Sequence, residues 1–201
     1  MFLSANQYVQ QCVSREVTRG RAVAVWAIIV AGMLVVLGLL FLAPLALARG
    51  HVFLAFSIYQ AFHLICHQMP ERSFHVAGHQ LAVCARCTGI YAGFTAGVVF
   101  YPLARSIRKI ETPRRIWLLL AMLPMAVDFS LTFFGLWQNT HLSRLLTGAL
   151  FGAVTALYIV PGLIDLSQII LNSLAARKSL RRLRSEMEME LGTHSRASSG
   201  N

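Results

Sequence analysis

Three of the chain's four cysteines, Cys66, Cys84 and Cys87, fall within one 22-residue stretch. Five of its seven histidines, His51, His63, His67, His75 and His79, lie in or beside that stretch. Thiolate and imidazole are the soft and borderline ligands that zinc, copper and iron prefer. Cys84-Ala85-Arg86-Cys87 has the C-x-x-C spacing, which lets two thiolates grip one ion at a helix start. Cys66-His67 offers two further ligands upstream. Cys66, Cys84, Cys87 and a histidine, His67 first, complete a tetrahedral set, and sulfur-rich sets of that kind favour zinc. Thr88 rather than His follows Cys87, so the haem-attachment signature is absent. The same residues permit thiol redox chemistry. At the start of a helix, Cys84 meets the positive end of the helix dipole, and Arg86 nearby adds to the pull on its proton. The plain alternative is that the cysteines are small buried hydrophobes and the histidines bond locally. Cys12 stands apart and is expected to be inert.

The elements that position these residues follow from composition. The 201 residues are 56% hydrophobic and 13% charged, against about a quarter charged in ordinary soluble chains. That excludes a disordered chain and argues against a soluble enzyme, which needs more polar surface. Four cysteines are too sparse for a disulfide scaffold. Crossing about 30 Å of hydrocarbon takes about 20 apolar residues. Four runs qualify, at 22–48, 81–104, 116–136 and 145–171, while a shorter run at 52–66 suits a re-entrant or interfacial helix. The expected fold is an all-α integral membrane protein: a four-helix transmembrane bundle with that short extra helix.

Charge sets the orientation. Eighteen Lys and Arg oppose eight Asp and Glu, giving +10 and a pI near 10.3. Arg15, Arg19 and Arg21 precede the first run. Arg105, Arg108, Lys109, Arg114 and Arg115 fill the turn between the second and third. Arg177, Lys178, Arg181, Arg182 and Arg184 follow the fourth. Loops rich in Lys and Arg stay in the cytoplasm. The chain then divides into a cytoplasmic segment at 1–21, a membrane domain at 22–171 and a cytoplasmic basic tail at 172–201, with the Cys/His segment 49–81 outside. A fifth span at 52–66 would move the N-terminus outward but leave the Cys/His segment outside. Ala46-Leu47-Ala48 looks like a cleavage site, yet its apolar run exceeds a signal-peptide core, so a retained anchor is expected. The basic clusters suit anionic headgroups. Without a basic groove interleaved with aromatics, no nucleic-acid partner is expected. In the tail, Leu180, Leu183, Met187 and Leu191 recur at helical spacing. Arg182 with Glu186 and Arg184 with Glu188 are helical pairs, and disorder is expected from Thr193.

Polar residues inside the spans need partners. Asp128 lies about 18 Å into the third run at 1.5 Å per residue, where a carboxylate is costly unless paired or protonated. Arg144, about 12 Å above it by the same rise, is its expected partner, with Asn139, Gln138 and His141 around an outer polar pocket. Pro124 removes a helical donor and should kink the third run. Asp165 should reach the interface. Gly89, Gly93 and Gly97 form a small-x-x-x-small stripe for close packing, more economically within one chain than between two. Pro70-Glu71-Arg72-Ser73 reads as a turn whose charges either tie it down or meet a ligand.

The string Cys66-His67-Gln68-Met69-Pro70-Glu71-Arg72-Ser73-Phe74, then Gly78, then Val83-Cys84-Ala85-Arg86-Cys87-Thr88-Gly89-Ile90-Tyr91 with Gly93, resembles the signature of a prokaryotic family. Its members are predicted integral membrane proteins catalogued as a domain of unknown function. Asp128, Asn139, Arg144 and Thr147-Gly148 resemble its second half. Phe129 and Val83 stand where that family often has Gly and Pro. The resemblance implies a multi-pass protein of a prokaryotic cell membrane and no particular reaction. In topology and in one C-x-x-C, the chain is also similar to quinone-linked disulfide-forming membrane oxidoreductases, whose second cysteine pair it lacks. Three functions follow as expectations. The first is an outward-facing metal site, zinc by preference, above a polar pocket for a small molecule or lipid. The second is a thiol–disulfide oxidoreductase using Cys84 and Cys87. The third is a small transporter using Asp128.

Overall fold

A computed structural model describes the backbone of residues 19–105 and 113–198, and the side chains of these except at Arg19, 175–176 and 182–198. Among the described residues five α-helices follow in order: α1 (Arg19–Ala48), α2 (Val52–His63), α3 (Ala85–Ala104), α4 (Ile116–Phe133) and α5 (His141–Ser198). Four of them, all but the 12-residue α2, are long and apolar enough to cross a membrane. The chain is an all-α membrane protein. Between α2 and α3 lie a single 3-10 turn at Pro70–Arg72 and a two-stranded antiparallel ribbon, β1 (His75–Val76) with β2 (His79–Gln80). Two-residue strands carry no periodicity, so the sequence does not announce this ribbon. Gly78 at φ +81° and Ala77 at φ +51° turn it.

The closest packing joins α3 to α5, and the glycines explain it. A Cβ added at Gly89, Gly93 or Gly97 would meet the backbone of Leu145, Ala149 or Ala153 in turn. Both series advance one helical turn at a time, so α3 and α5 run parallel. Gly148 and Gly152 answer from α5, where a Cβ would strike the carbonyls of Arg86 and Ile90. In lipid, where no hydrophobic drive pulls helices together, such close backbone approach supplies the packing. The stripe expected at Gly89, Gly93 and Gly97 is thus an intrachain contact.

Helix α1 packs against both α3 and α5. Trp26 Nε1 donates to the Val98 carbonyl at 2.7 Å. One buried cluster gathers Ala22, Val98, Tyr101, Ala156, Val160 and Ile164. A second gathers Leu40, Ala43, Ile58, Phe62, Cys66, Ala82 and Val83 at the opposite end, beneath the cysteines. Large apolar side chains such as Phe53, Leu103 and Phe133 lie exposed on the outside, as lipid-facing surfaces require.

Two boundaries differ from those expected. Helix α5 begins at His141 rather than 145, because Thr140 Oγ1 accepts the Ser143 amide at 3.1 Å and caps it. At its far end α5 continues through the tail, whose helical spacing from residue 172 was expected, and runs past Thr193 to Ser198, where disorder was expected. No proline follows Pro161 and the tail is rich in Arg, Leu, Glu and Met, all good helix formers. Arg15, Cys12, Arg108 and Lys109 lie outside the described residues, as do the side chains of the Arg182–Glu186 and Arg184–Glu188 pairs.

Candidate functional site

The cysteine loop is fixed by one glutamine. Gln68 stands in left-handed backbone at φ +51°, a conformation that costs energy for a residue with a Cβ. Its side-chain amide holds it there, donating to the carbonyls of Tyr59 at 2.8 Å and Ala82 at 2.7 Å. That double bond clamps the segment after Cys66 to the segment before Cys84. The Tyr59 hydroxyl donates to the Gln80 carbonyl and adds a third tie. Nothing in residue spacing marks Gln68 for this role. The only hint was its place between Cys66-His67 and Pro70.

Three free thiols meet as a result. The sulfurs of Cys66, Cys84 and Cys87 all lie within 4.8 Å of one another. Two ligands at a Zn–S distance of about 2.3 Å and a tetrahedral angle stand about 3.8 Å apart, so a small closing movement suits them to one ion. Cys66 is 5% exposed, and its sulfur accepts the Cys84 amide at 3.3 Å. Cys84 caps α3 in extended backbone. The Cys66 thiol, then the Cys87 thiol, hydrogen-bond to the Cys84 sulfur and hold its pKa well below the ordinary thiol value. The backbone amides of Cys87 and Arg86 act in the same direction, against the effect of burial. The helix start thus acts as expected, whereas the Arg86 guanidinium is engaged elsewhere.

That guanidinium pairs with Asp128. Arg86 Nη2 lies 2.6 Å from Asp128 Oδ2, with both side chains largely buried. The expected Asp128–Arg144 pair is therefore corrected. Rise along a helix gives depth but not rotation, and the first turn of α3 faces α4 at the level of Asp128. Asn139 Nδ2 and Thr132 Oγ1 donate to the Asp128 carbonyl at 2.6 and 3.2 Å. Arg86 also lies over the Phe129 ring, 5.8 Å from its centroid. His141 packs on Phe74 instead of entering the pocket, and Gln138 is exposed. Asp165 is half-buried.

Sulfurs and arginines share one cavity of about 690 Å³. Cys66, Cys84 and Cys87 line it together with Arg72, Arg86, Arg144 and Asn139. His67 lines it too, but as an exposed side chain outside the group of sulfurs. His51, His63, His75 and His79 also stand outside that group, and His75 and His79 line a separate cavity beside Tyr59. The cavity opens where α3 and α5 begin and α4 ends, at one end of the bundle.

The family described as "Predicted membrane protein (DUF2085)" matches residues 66–158. An uncharacterised protein of Methanocaldococcus jannaschii is 39% identical over 127 residues, covering 61% of this chain and 81% of that protein. The chain belongs to this family. A second relative, an uncharacterised protein of Methanothermobacter thermautotrophicus, is 35% identical over 88 residues, covering 43% of the chain and 77% of its own length. No solved structure matches the chain. The family segment begins at Cys66 and contains all three clustered cysteines, the Arg86–Asp128 pair, Asn139 and Arg144. The family is thus defined over the part of the chain that builds the cavity.

Proposed function

We propose that this membrane protein holds a thiophilic metal ion, zinc by preference, on the sulfurs of Cys66, Cys84 and Cys87. The observation that carries this reading is the meeting of three free thiols from two chain regions in one cavity wall. Three protein ligands would leave a fourth coordination position open, the arrangement of zinc sites that act on a bound molecule rather than merely staple a fold. His67, on the cavity rim, is the side chain placed to compete for that position. The basic clusters around Arg21, Arg114 and Arg177 support a proposed orientation with both termini cytoplasmic and this end of the bundle on the extracytoplasmic side of a prokaryotic cell membrane.

Metal analysis of the full chain purified in detergent tests the reading. One zinc per chain, lost in Cys84→Ser, supports it. Metal-free protein with a Cys84–Cys87 disulfide reducible by dithiothreitol overturns it. That result would favour the thiol oxidoreductase, a reading supported by the same sulfur contacts and by the low proton affinity of Cys84. The transporter reading has less support, because the Asp128 carboxylate is already paired with Arg86.

A further inference from the structure

The cavity carries more positive charge than its own residues neutralise. Arg72, Arg86 and Arg144 all line it. Asp128 is committed to Arg86. Arg72 meets Glu71 only loosely, at 3.9 Å in an exposed pair, and Glu71 does not line the cavity. Two guanidiniums therefore face the cavity beyond the one that is paired. A zinc ion on three thiolates would carry one negative charge and would still leave one positive charge in excess. Arg86 Nε, a donor, is buried without a protein hydrogen-bond partner. Native structures rarely leave such a donor unmet.

The remaining lining is apolar. Ile65, Met69, Phe129 and Phe133 flank the polar floor, and all four are exposed large hydrophobic residues. A cationic floor with an apolar rim, at the end of membrane-spanning helices, suits a ligand with an anionic head and an apolar body. Guanidiniums bind the oxygens of a tetrahedral oxyanion through paired, charge-assisted hydrogen bonds. We propose that the cavity binds a phosphate-bearing ligand, its oxygens held by Arg72 and Arg144 beside the three sulfurs. This deepens the metal reading by naming the class of molecule at that site. The phosphate contacts themselves are arginine contacts and do not need the metal. The phosphate has two sources, a lipid headgroup or a free phosphate from the aqueous side.

Calorimetric titration of the full chain in maltoside micelles separates them, with dioctanoyl phosphatidic acid in one arm and inorganic phosphate in the other. Saturable binding near one per chain is expected in the lipid arm alone if the source is a lipid, and in both arms if it is a free phosphate. Each of Arg72→Gln and Arg144→Gln should weaken binding at least about tenfold, the loss of a charge-assisted contact. Arg115→Gln, exposed at the start of α4 away from the cavity, should bind as the parent does. Arg72 is half-exposed on a turn, so its variant keeps the test open even if Arg144→Gln fails to fold. The proposal is overturned if neither probe binds saturably, if Arg72→Gln binds as tightly as the parent, or if Arg115→Gln loses as much. Zinc counted on the same samples keeps the two readings apart. Lost phosphate binding with zinc retained touches only the arginines, whereas phosphate binding without zinc touches only the sulfurs.

Discussion

Arg86 and Asp128 make a buried ion pair between α3 and α4, and such a pair is costly to break from one side. Removing one partner leaves an uncompensated buried charge, worth about 3–5 kcal/mol in comparable sites. Asp128→Asn and Arg86→Gln should each lower the thermal unfolding midpoint sharply in detergent. The double variant should recover part of the loss, whereas strictly additive losses would mean that the two groups do not act as a pair. That Asp128 needs a partner was legible from its depth in an apolar run. Which arginine it takes was not, because that depends on how α3 and α4 are rotated against each other. Cys84 offers a second test at this scale. Its pKa is lowered by the neighbouring thiols and helix amides, so in metal-free protein it stays thiolate as pH falls through the neutral range. Between about pH 8 and 6 an ordinary thiol with a pKa near 8.5 loses roughly two orders of magnitude in alkylation rate. The Cys84 rate, followed by mass spectrometry, should stay nearly flat over that range. A slope like that of an ordinary thiol would show that the neighbours do not hold it ionised.

The α3–α5 contact rests on absent side chains. A methyl at Gly93 would strike the Ala149 carbonyl, while one at Gly32 on α1 would meet nothing. Gly93→Ala should therefore destabilise by about 1–3 kcal/mol, the usual range for overpacking, and Gly32→Ala should be tolerated. Equal unfolding midpoints for the two variants would contradict the packing. The Gly89, Gly93 and Gly97 stripe was readable from spacing alone. Its answering glycines, Gly148 and Gly152, share that spacing, but a stripe does not name its partner. The ribbon at His75–Gln80 was not readable because its two-residue strands carry no periodicity, and the turn at Gln68 because it depends on side-chain bonds to the backbone of Tyr59 and Ala82.

Across the whole molecule, four apolar helices and three basic clusters specify a membrane bundle with its sulfur cavity at one end. Hydropathy made the spans legible because lipid demands long apolar helices. The convergence of Cys66 with Cys84 and Cys87 was legible as a possibility from residue type, and the loop between them, drawn in by Gln68, makes it a contact. Orientation is testable in intact cells expressing the full chain. After chelation, a membrane-impermeant maleimide should label Cys84 from outside, and Cys12 only after permeabilisation. The reverse pattern would invert the molecule.

The central claim, a metal ion on three sulfurs, is tested most directly by X-ray absorption at the zinc edge of the purified, zinc-loaded chain. A shell of three sulfurs at about 2.3 Å and one lighter scatterer is expected, with the sulfur shell diminished in Cys66→Ser. A first shell of oxygen and nitrogen alone would contradict it.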